Sequence, residues 1–309
     1  MTSPTSDLGL VERRVATPLG PMTVHAAATR SSDTALILVH GAAGSWRTWR
    51  ELLRRAEDGG DPLRDVVAVD LPGWGASGAL ARPTRATVDD MTETLVTAAE
   101  ACGYSRWRVL GHSMGGLLAL HLACREPVRT VGVLCVSASL AGVLESLRAP
   151  MRTLGRRGRL PALVLLRFAL AAVAPIEPPI RALVRGLGRM GLVRLLAAPL
   201  FRHPLQAPAD TVRDLAVDLR PRSFVAAALA VRDYDVGRWR AIVAPVVALS
   251  GDRDRFTARG DLDGLRELLP TARTEVLEDC GHFPQVEQPE RLLSLLRELS
   301  PSDPGCRSE

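Results

Sequence analysis

From Leu36 onward, short runs of consecutive apolar residues recur along the chain, separated by longer stretches whose apolar positions follow a helical spacing. Leu36-Ile37-Leu38-Val39 runs into His40-Gly41, Val66-Val67-Ala68-Val69 into Asp70, and Arg108-Val109-Leu110 into Gly111. Val131 to Val136 runs into Ser137, and Val246-Val247-Ala248-Leu249 into Ser250-Gly251. Runs that are apolar at nearly every position and close on turn-formers predict strands buried on both faces. Alternating with amphipathic stretches, they predict an α/β fold: a mostly parallel central sheet with helices on both faces. Ahead of them, Val11 to Thr17 and Met22 to Ala28 flank Pro18-Leu19-Gly20-Pro21, the pattern of an antiparallel hairpin at the sheet edge.

The rhythm breaks between Leu140 and Asp235, where no strand-like run occurs and Leu, Ala and Arg dominate between prolines from Pro150 to Pro221. This predicts a helical insertion and a division into 1–139, 140–235 and 236–309. After it, a strand at Val246 to Leu249, a helix near Leu262 to Leu269, a strand at Thr274 to Leu277 and a helix at Gln288 to Leu299 resume the alternation, and Pro301 to Glu309 reads as a frayed tail. The longest apolar stretch, Leu160 to Ala174, is interrupted by Arg167 and falls short of the roughly 20 residues a spanning helix needs, so no transmembrane segment is expected. Met1 to Leu10 lacks the basic cluster and apolar run of a secretion signal, and the expected location is cytoplasmic.

Charge changes the picture of the insertion. All 39 basic residues are arginine, and 17 of them fall between Leu140 and Arg240 against 7 carboxylates, in a chain whose net charge is +5. Within it, Ile180, Leu183, Val184 and Leu187 mark one helix face, and Arg181, Arg185 and Arg189 another. The plain reading is a solvated basic face above an apolar pocket roof, its arginine stems snorkelling. The sharper one is a dock for an acidic partner or anionic surface: an anionic lipid surface, a coenzyme A phosphate or an acyl-carrier protein. Five scattered cysteines without C-x-x-C spacing read as reduced thiols. Neither a nucleic-acid partner nor a cofactor is expected, and no histidine pair has the spacing of a helical metal site.

The densest chemistry lies in Val109-Leu110-Gly111-His112-Ser113-Met114-Gly115-Gly116, a strand, a G-x-S-x-G turn and the start of a helix. A serine on such a turn is lifted off the sheet at the positive end of the following helix, where it can attack a carbonyl. Its hydroxyl is a weak nucleophile until a base takes the proton, so a histidine and a carboxylate are required further along. Ser250-Gly251-Asp252-Arg253-Asp254 and Asp279-Cys280-Gly281-His282-Phe283-Pro284 follow later strands in that order, with His282 fixed in a loop by Gly281 and Pro284. Gly251 ends its strand and the acid must extend past it to reach the imidazole, which favours Asp254 over Asp252 and Asp279. At His40-Gly41-Ala42-Ala43-Gly44, the backbone N–H of Ala42, with that of Met114, can point at the oxygen that becomes negative in a tetrahedral intermediate. A phosphate-binding loop is excluded there, because neither G-x-G-x-x-G nor G-K-[ST] occurs.

Together HGAAG, DLPGWGASG at 70 to 78, GHSMGG, SGDRD and CGHFPQVEQPE resemble the α/β-hydrolase family in its order over nearly the whole chain. The resemblance implies Asp254, three residues after Gly251, as the acid, and residues 140 to 235 as a cap over the pocket. It also implies that Ser77 is a turn residue. Serine at 113, where some relatives carry aspartate, argues against the dehalogenase and epoxide hydrolase branches. The expectation is a serine hydrolase for a small or medium apolar ester, with an acyl-Ser113 intermediate. A thioesterase or acyltransferase acting on a carrier- or coenzyme-A-bound acyl group, and a ligand-binding module without turnover, are the alternatives; a pure binder has no need of Ser113, Asp254 and His282 together.

Overall fold

The computed structural model describes residues 8–78, 86–154, 161–258 and 260–299. The tail at 301–309 therefore lies outside the described residues. Eight strands form one sheet: β1 (Leu10–Thr17), β2 (Gly20–Ala27), β3 (Thr34–Val39), β4 (Val66–Asp70), β5 (Arg106–His112), β6 (Thr130–Val136), β7 (Val246–Gly251) and β8 (Arg273–Leu277). Their spatial order is β1-β2-β4-β3-β5-β6-β7-β8. The hairpin β1–β2 occupies the edge and meets β4 antiparallel, and every pairing from β4 to β8 is parallel.

Side-chain alternation along the buried strands splits the core in two. Ile37, Val39, Val67, Val69, Val109 and Val133 face the helices α2 (Val88–Ala101) and α3 (Met114–Arg125). Leu36, Leu38, Val66, Ala68, Leu110 and Leu134 face α1 (Arg50–Asp58) and the last helix, α12 (Pro289–Glu298). A strand that is apolar at every position can do nothing else, since successive residues point to opposite faces. Helix α2 starts where the pattern allows it: Thr87 Oγ1 accepts from Asp90 N at 3.1 Å and the Asp90 carboxylate accepts from Thr87 N at 2.9 Å.

Between β6 and β7 lie α4 (Ala141–Arg148), α5 (Pro150–Leu154), α6 (Pro161–Val173), α7 (Glu177–Arg189), α8 (Val193–Ala197), α9 (Ala209–Asp218) and α10 (Pro221–Arg232). The sequence expectation of a short apolar stretch is corrected here. Helix continues from α6 through the 3₁₀ turn Ala174–Ile176 into α7, a run of 28 residues from Ala162 to Arg189, by length and composition enough to cross a membrane, with 11% of its most apolar window buried. Pro175, Pro178 and Pro179 do not break it because they occupy first-turn positions, where no intrahelical N–H is needed. Arg222 from α10 closes the junction, donating to Ala174 O and Pro175 O at 2.9 and 3.0 Å. Within α7 only Val184 is buried; Leu183 points to solvent instead of sharing the inner face.

The insertion is tied to the core by carboxylates spaced four residues apart on α9. Arg50 Nη1 lies 2.7 Å from Asp214 and 3.4 Å from Asp210, and Arg54 Nη1 lies 2.9 Å from Asp210. Arg47 Nη1 lies 3.6 Å from Asp218, whose carboxylate also accepts from Ser45 Oγ. Cys102, Cys124, Cys135 and Cys280 are free thiols; Cys306 lies outside the described residues.

Burial pushes the Asp218 carboxyl up to about 6, from an ordinary 3.8, despite the Ser45 hydroxyl and the Arg47 guanidinium that favour its charge. A carboxyl raised on folding binds its proton more tightly in the native state, so its contribution is present at low pH and is lost as pH rises through about 6. Asp218→Asn, neutral at every pH, is expected to be more stable than the natural protein at pH 8 by on the order of 1–3 kcal/mol, with the gap closing toward pH 4. Urea unfolding midpoints across that range test it; a variant less stable at pH 8 would mean that Arg47 outweighs the burial.

Candidate active site

Strand β5 ends one residue before Ser113, and α3 begins one residue after it, which leaves the serine alone in the turn at φ 53°, ψ −118°. This is strained backbone for a residue with a Cβ. Three bonds hold it: Ser113 N donates to Val136 O at 2.9 Å, and Ser113 O accepts from Gly116 N at 3.0 Å and Ser139 N at 2.9 Å. The flanking glycines are obligatory. A Cβ on Gly111 would overlap Gly115 O, and one on Gly115 would overlap Val39 O of β3. The turn thus fits only because the first turn of α3 presses against two strands.

Ser113, Met114, Ala42, Ala43, His112 and His282 share one cavity of about 580 Å³. Met114 opens α3, so its N–H is one of the orphan donors of a helix start, and Ala42 N–H donates no hydrogen bond among the described residues. The cavity walls are apolar, with Val143, Leu147, Leu166, Leu170, Leu219 and Phe224 contributed by the insertion. Among its described lining residues, Arg255 is the one charged side chain apart from histidine.

His282 Nδ1 lies 2.9 and 3.0 Å from the two carboxylate oxygens of Asp254. Burial alone would raise that carboxyl, since its side chain is 1% exposed. The His282 ring beside it and N–H bonds from Phe256 at 2.7 Å and Thr257 at 3.2 Å hold it at about 2 instead. An ionised carboxylate only accepts, so Nδ1 carries the proton and Nε2 is the basic nitrogen. Ser113 Oγ makes no hydrogen bond among the described residues, the looser relation a nucleophile and base commonly have before substrate arrives.

The other acids point elsewhere. Asp252 pairs with Arg253 at 3.1 Å and accepts from Cys280 N at 3.2 Å. Asp279 pairs with Arg202 at 2.7 Å and His203 at 2.6 Å, both from the insertion. Ser77 is buried away from the cavity; its hydroxyl donates to Asp70 O and accepts from Thr23 N at 2.8 Å.

Two residues escaped the sequence reading. His112 Nε2 donates to His282 O at 2.8 Å, and the two rings lie 4.9 Å apart. Burial, with the His282 ring next to it, drives His112 down to about 3, so it is a neutral donor that fixes the backbone of the His282 loop. The one sequence hint is its place inside G-x-S-x-G. Glu287 accepts from Gly281 N at 2.8 Å and from Arg202 N at 2.6 Å, bracketing the histidine loop to the insertion. Leu200 O accepts from His282 N at 2.8 Å, and a Cβ on Gly281 would crowd Arg202 N at 2.7 Å. No spacing in the sequence signals these contacts.

The sequence profile of the alpha/beta hydrolase family matches residues 36–295. A 2-hydroxy-6-oxononadienedioate/2-hydroxy-6-oxononatrienedioate hydrolase of Burkholderia vietnamiensis is 26% identical over 287 residues, covering 89% of this chain and 90% of its own. Epoxide hydrolase 3 of Xenopus tropicalis is 22% identical over 282 residues, covering 87% and 71%. Among solved structures, an esterase from Exiguobacterium antarcticum superposes with a TM-score of 0.69 at 18% identity, over 94% of this chain and 99% of that one, a likeness of fold.

The glycine geometry makes a paired prediction. Gly115→Ala must displace the β3 backbone and is expected to cost about 1–3 kcal/mol or more. Gly264→Ala, in helix α11 (Asp261–Leu268) with nothing near its Cβ, should stabilise by about 0.5–1 kcal/mol. Urea unfolding of both variants decides; equal effects at the two sites would refute the close approach.

Proposed function

This chain belongs to the alpha/beta hydrolase family, and from that premise we propose that it is a serine hydrolase cleaving apolar carboxylic esters at Ser113. The observation that carries the reading is the ionised Asp254 on His282 Nδ1, in a cavity whose wall also holds the strained Ser113.

His282 Nε2 takes the Ser113 proton as Oγ attacks the ester carbonyl. The oxygen of the tetrahedral intermediate is received by the N–H groups of Ala42 and Met114, the second at the positive end of α3. Collapse breaks the bond to the alcohol oxygen, which leaves with the proton held on His282. Water, deprotonated by the same nitrogen, then attacks the acyl-serine and restores the enzyme. Asp254 holds the imidazole in the productive tautomer throughout and stabilises the imidazolium. His112 and Glu287 position the loop that carries it.

The apolar walls select an apolar acyl or alcohol group. The relative from Burkholderia vietnamiensis is named for a dioate, a substrate with two carboxylates. A single arginine, Arg255, among the described lining residues is a poor match for two such charges. Epoxide opening is disfavoured by a serine, rather than a carboxylate, at the nucleophile turn.

A fluorophosphonate probe is expected to label Ser113; recovery of the label on Ser77, Ser137 or Ser250 would overturn the mechanism. Asp254→Asn leaves His282 in the wrong tautomer and should lower turnover about 10⁴-fold with a cooperative thermal transition retained. Asp252→Asn and Asp279→Asn should stay near normal. Nitrophenyl esters and acyl thioesters of increasing chain length serve as the substrates. An active Asp254→Asn beside an inactive neighbour moves the assignment, and turnover confined to thioesters replaces the ester reading.

A further inference from the structure

Helix α6 carries one polar side chain, Arg167, and this donates to Leu147 O at 2.8 Å. Val164 and Leu170 are buried, and Leu163 and Leu166 line the cavity. Its opposite side, at helical spacing, presents Leu165, Phe168, Ala169 and Ala172, continued by Pro175 and Ile176, all exposed. A helix on the surface of a globular protein normally turns polar residues outward. The exposure continues onto α8 and the turn before it: Leu165, Phe168, Ile176, Met190, Leu195 and Leu196 are between 47% and 75% exposed. Leu165 and Leu196, exposed as they are, also line the cavity, so the apolar face reaches its mouth on both α6 and α8.

Unpaired positive charge accompanies this face. Arg185 and Arg189 on α7, one turn apart, are exposed and have no carboxylate within 4 Å among the described residues. We propose that the α6–α8 face of the insertion docks on an anionic lipid bilayer, with apolar side chains in the acyl region and arginines at the headgroups. The mouth then opens onto lipid. A long-chain ester resident in the bilayer reaches Ser113 along apolar walls without crossing water; this substrate assignment rests on the serine-hydrolase reading, and the docking does not.

Three features favour this occupant. Apolar side chains beside arginines are the composition of helices that lie in a membrane interface. Exposed arginines on α7, in the helical run that continues the apolar row of α6, disfavour a second copy of the chain, which would bring like charges together, and suit an anionic leaflet. An acidic protein would answer the arginines and leave the apolar row uncovered. The helix lies along the surface rather than crossing it, because Val164, Leu170 and Val184 are anchored inside the protein and Arg181, Arg185 and Arg189 fill its last turns.

Flotation with vesicles of phosphatidylcholine, alone or mixed with phosphatidylglycerol, tests the docking. The natural protein is expected to float with the mixed vesicles, and less with phosphatidylcholine alone or at high salt. Each basic residue near an anionic surface contributes on the order of fivefold to partition, so Arg185→Glu with Arg189→Glu should reduce it by about twentyfold or more. Phe168→Asp with Leu195→Asp, positions outside the cavity lining, should abolish it. Both variants should keep turnover of a soluble short-chain nitrophenyl ester while losing at least about tenfold on a long-chain ester dissolved in the mixed vesicles. Absence of the natural protein from the floating fraction, or equal flotation of both variants, overturns the docking. A dimer that the variants dissolve, without vesicle binding, assigns the face to self-association and overturns it too. Should the apolar variant misfold, the arginine variant decides alone, since neither side chain makes a hydrogen bond or ion pair among the described residues. Flotation without any ester turnover would sink the hydrolase reading and leave the docking standing.

Discussion

The turn at Ser113 holds a residue with a Cβ at φ 53°, ψ −118°, and the neighbouring structure is built to keep it there. Such a conformation costs about 1–3 kcal/mol and persists only where the surroundings over-determine it. Here they do so through three backbone hydrogen bonds, two reaching β6 and the loop after it and one closing within the first turn of α3, and through two glycines that let α3 press onto β3 and β5. One constraint therefore fixes the spacing of three strands and a helix. It also sets Met114, the first residue of α3, on the cavity wall that Ala42 shares, so the strain and the proposed oxyanion donors have a common cause.

The histidine loop is held from two sides that are distant in sequence. His112, from the serine turn, grips His282 O; Leu200, from the insertion, grips His282 N. Glu287 ties the same loop to Arg202, and Phe283 packs into the apolar cluster of α7, α8 and α9, its ring 5.2 Å from Phe201. The insertion is more than a roof: it fixes the loop that carries His282, the proposed base. Movement of the 200–203 segment would shift His282, which couples the pocket cover to the chemistry through hydrogen bonds and packing rather than through contact with substrate.

Much of this was legible in the sequence where the cause is local. Leu36 to Val39 and Val66 to Val69 announce strands buried on both faces because every residue is apolar, and Gly111 and Gly115 announce the turn because their spacing is the requirement itself. The acid could be argued from reach, since Asp254 lies far enough past Gly251 to meet the imidazole. The strand order was not legible, because β4 lies between β2 and β3 for reasons of three-dimensional packing that no local pattern records. The continuity of α6 into α7 was hidden because prolines read as breakers, whereas Pro175, Pro178 and Pro179 fall where a helix start tolerates them. His112 and Glu287 acquire roles only from contacts formed by folding.

The charge of the insertion shows how far a composition can mislead and still matter. With 15 arginines against 7 carboxylates between Leu140 and Asp235, it would be expected to grip a more acidic core through its cations. Along α9 the seam runs the other way, with Asp210, Asp214 and Asp218 facing Arg47, Arg50 and Arg54 of the core, while among the described residues Arg202 and His203 alone follow the expected sense at Asp279. Glu177 is engaged within the insertion, by Arg222 N and Arg181, and Asp233 by Arg232. With the carboxylates committed inward or locally, the positive excess is left on the outside, at side chains such as Arg185 and Arg189. Exposed ion pairs stabilise little, so leaving these arginines unpaired costs the fold little. The same sorting that fastens the insertion to the core leaves cations uncompensated on α7, in the helical run that also carries the apolar row of α6.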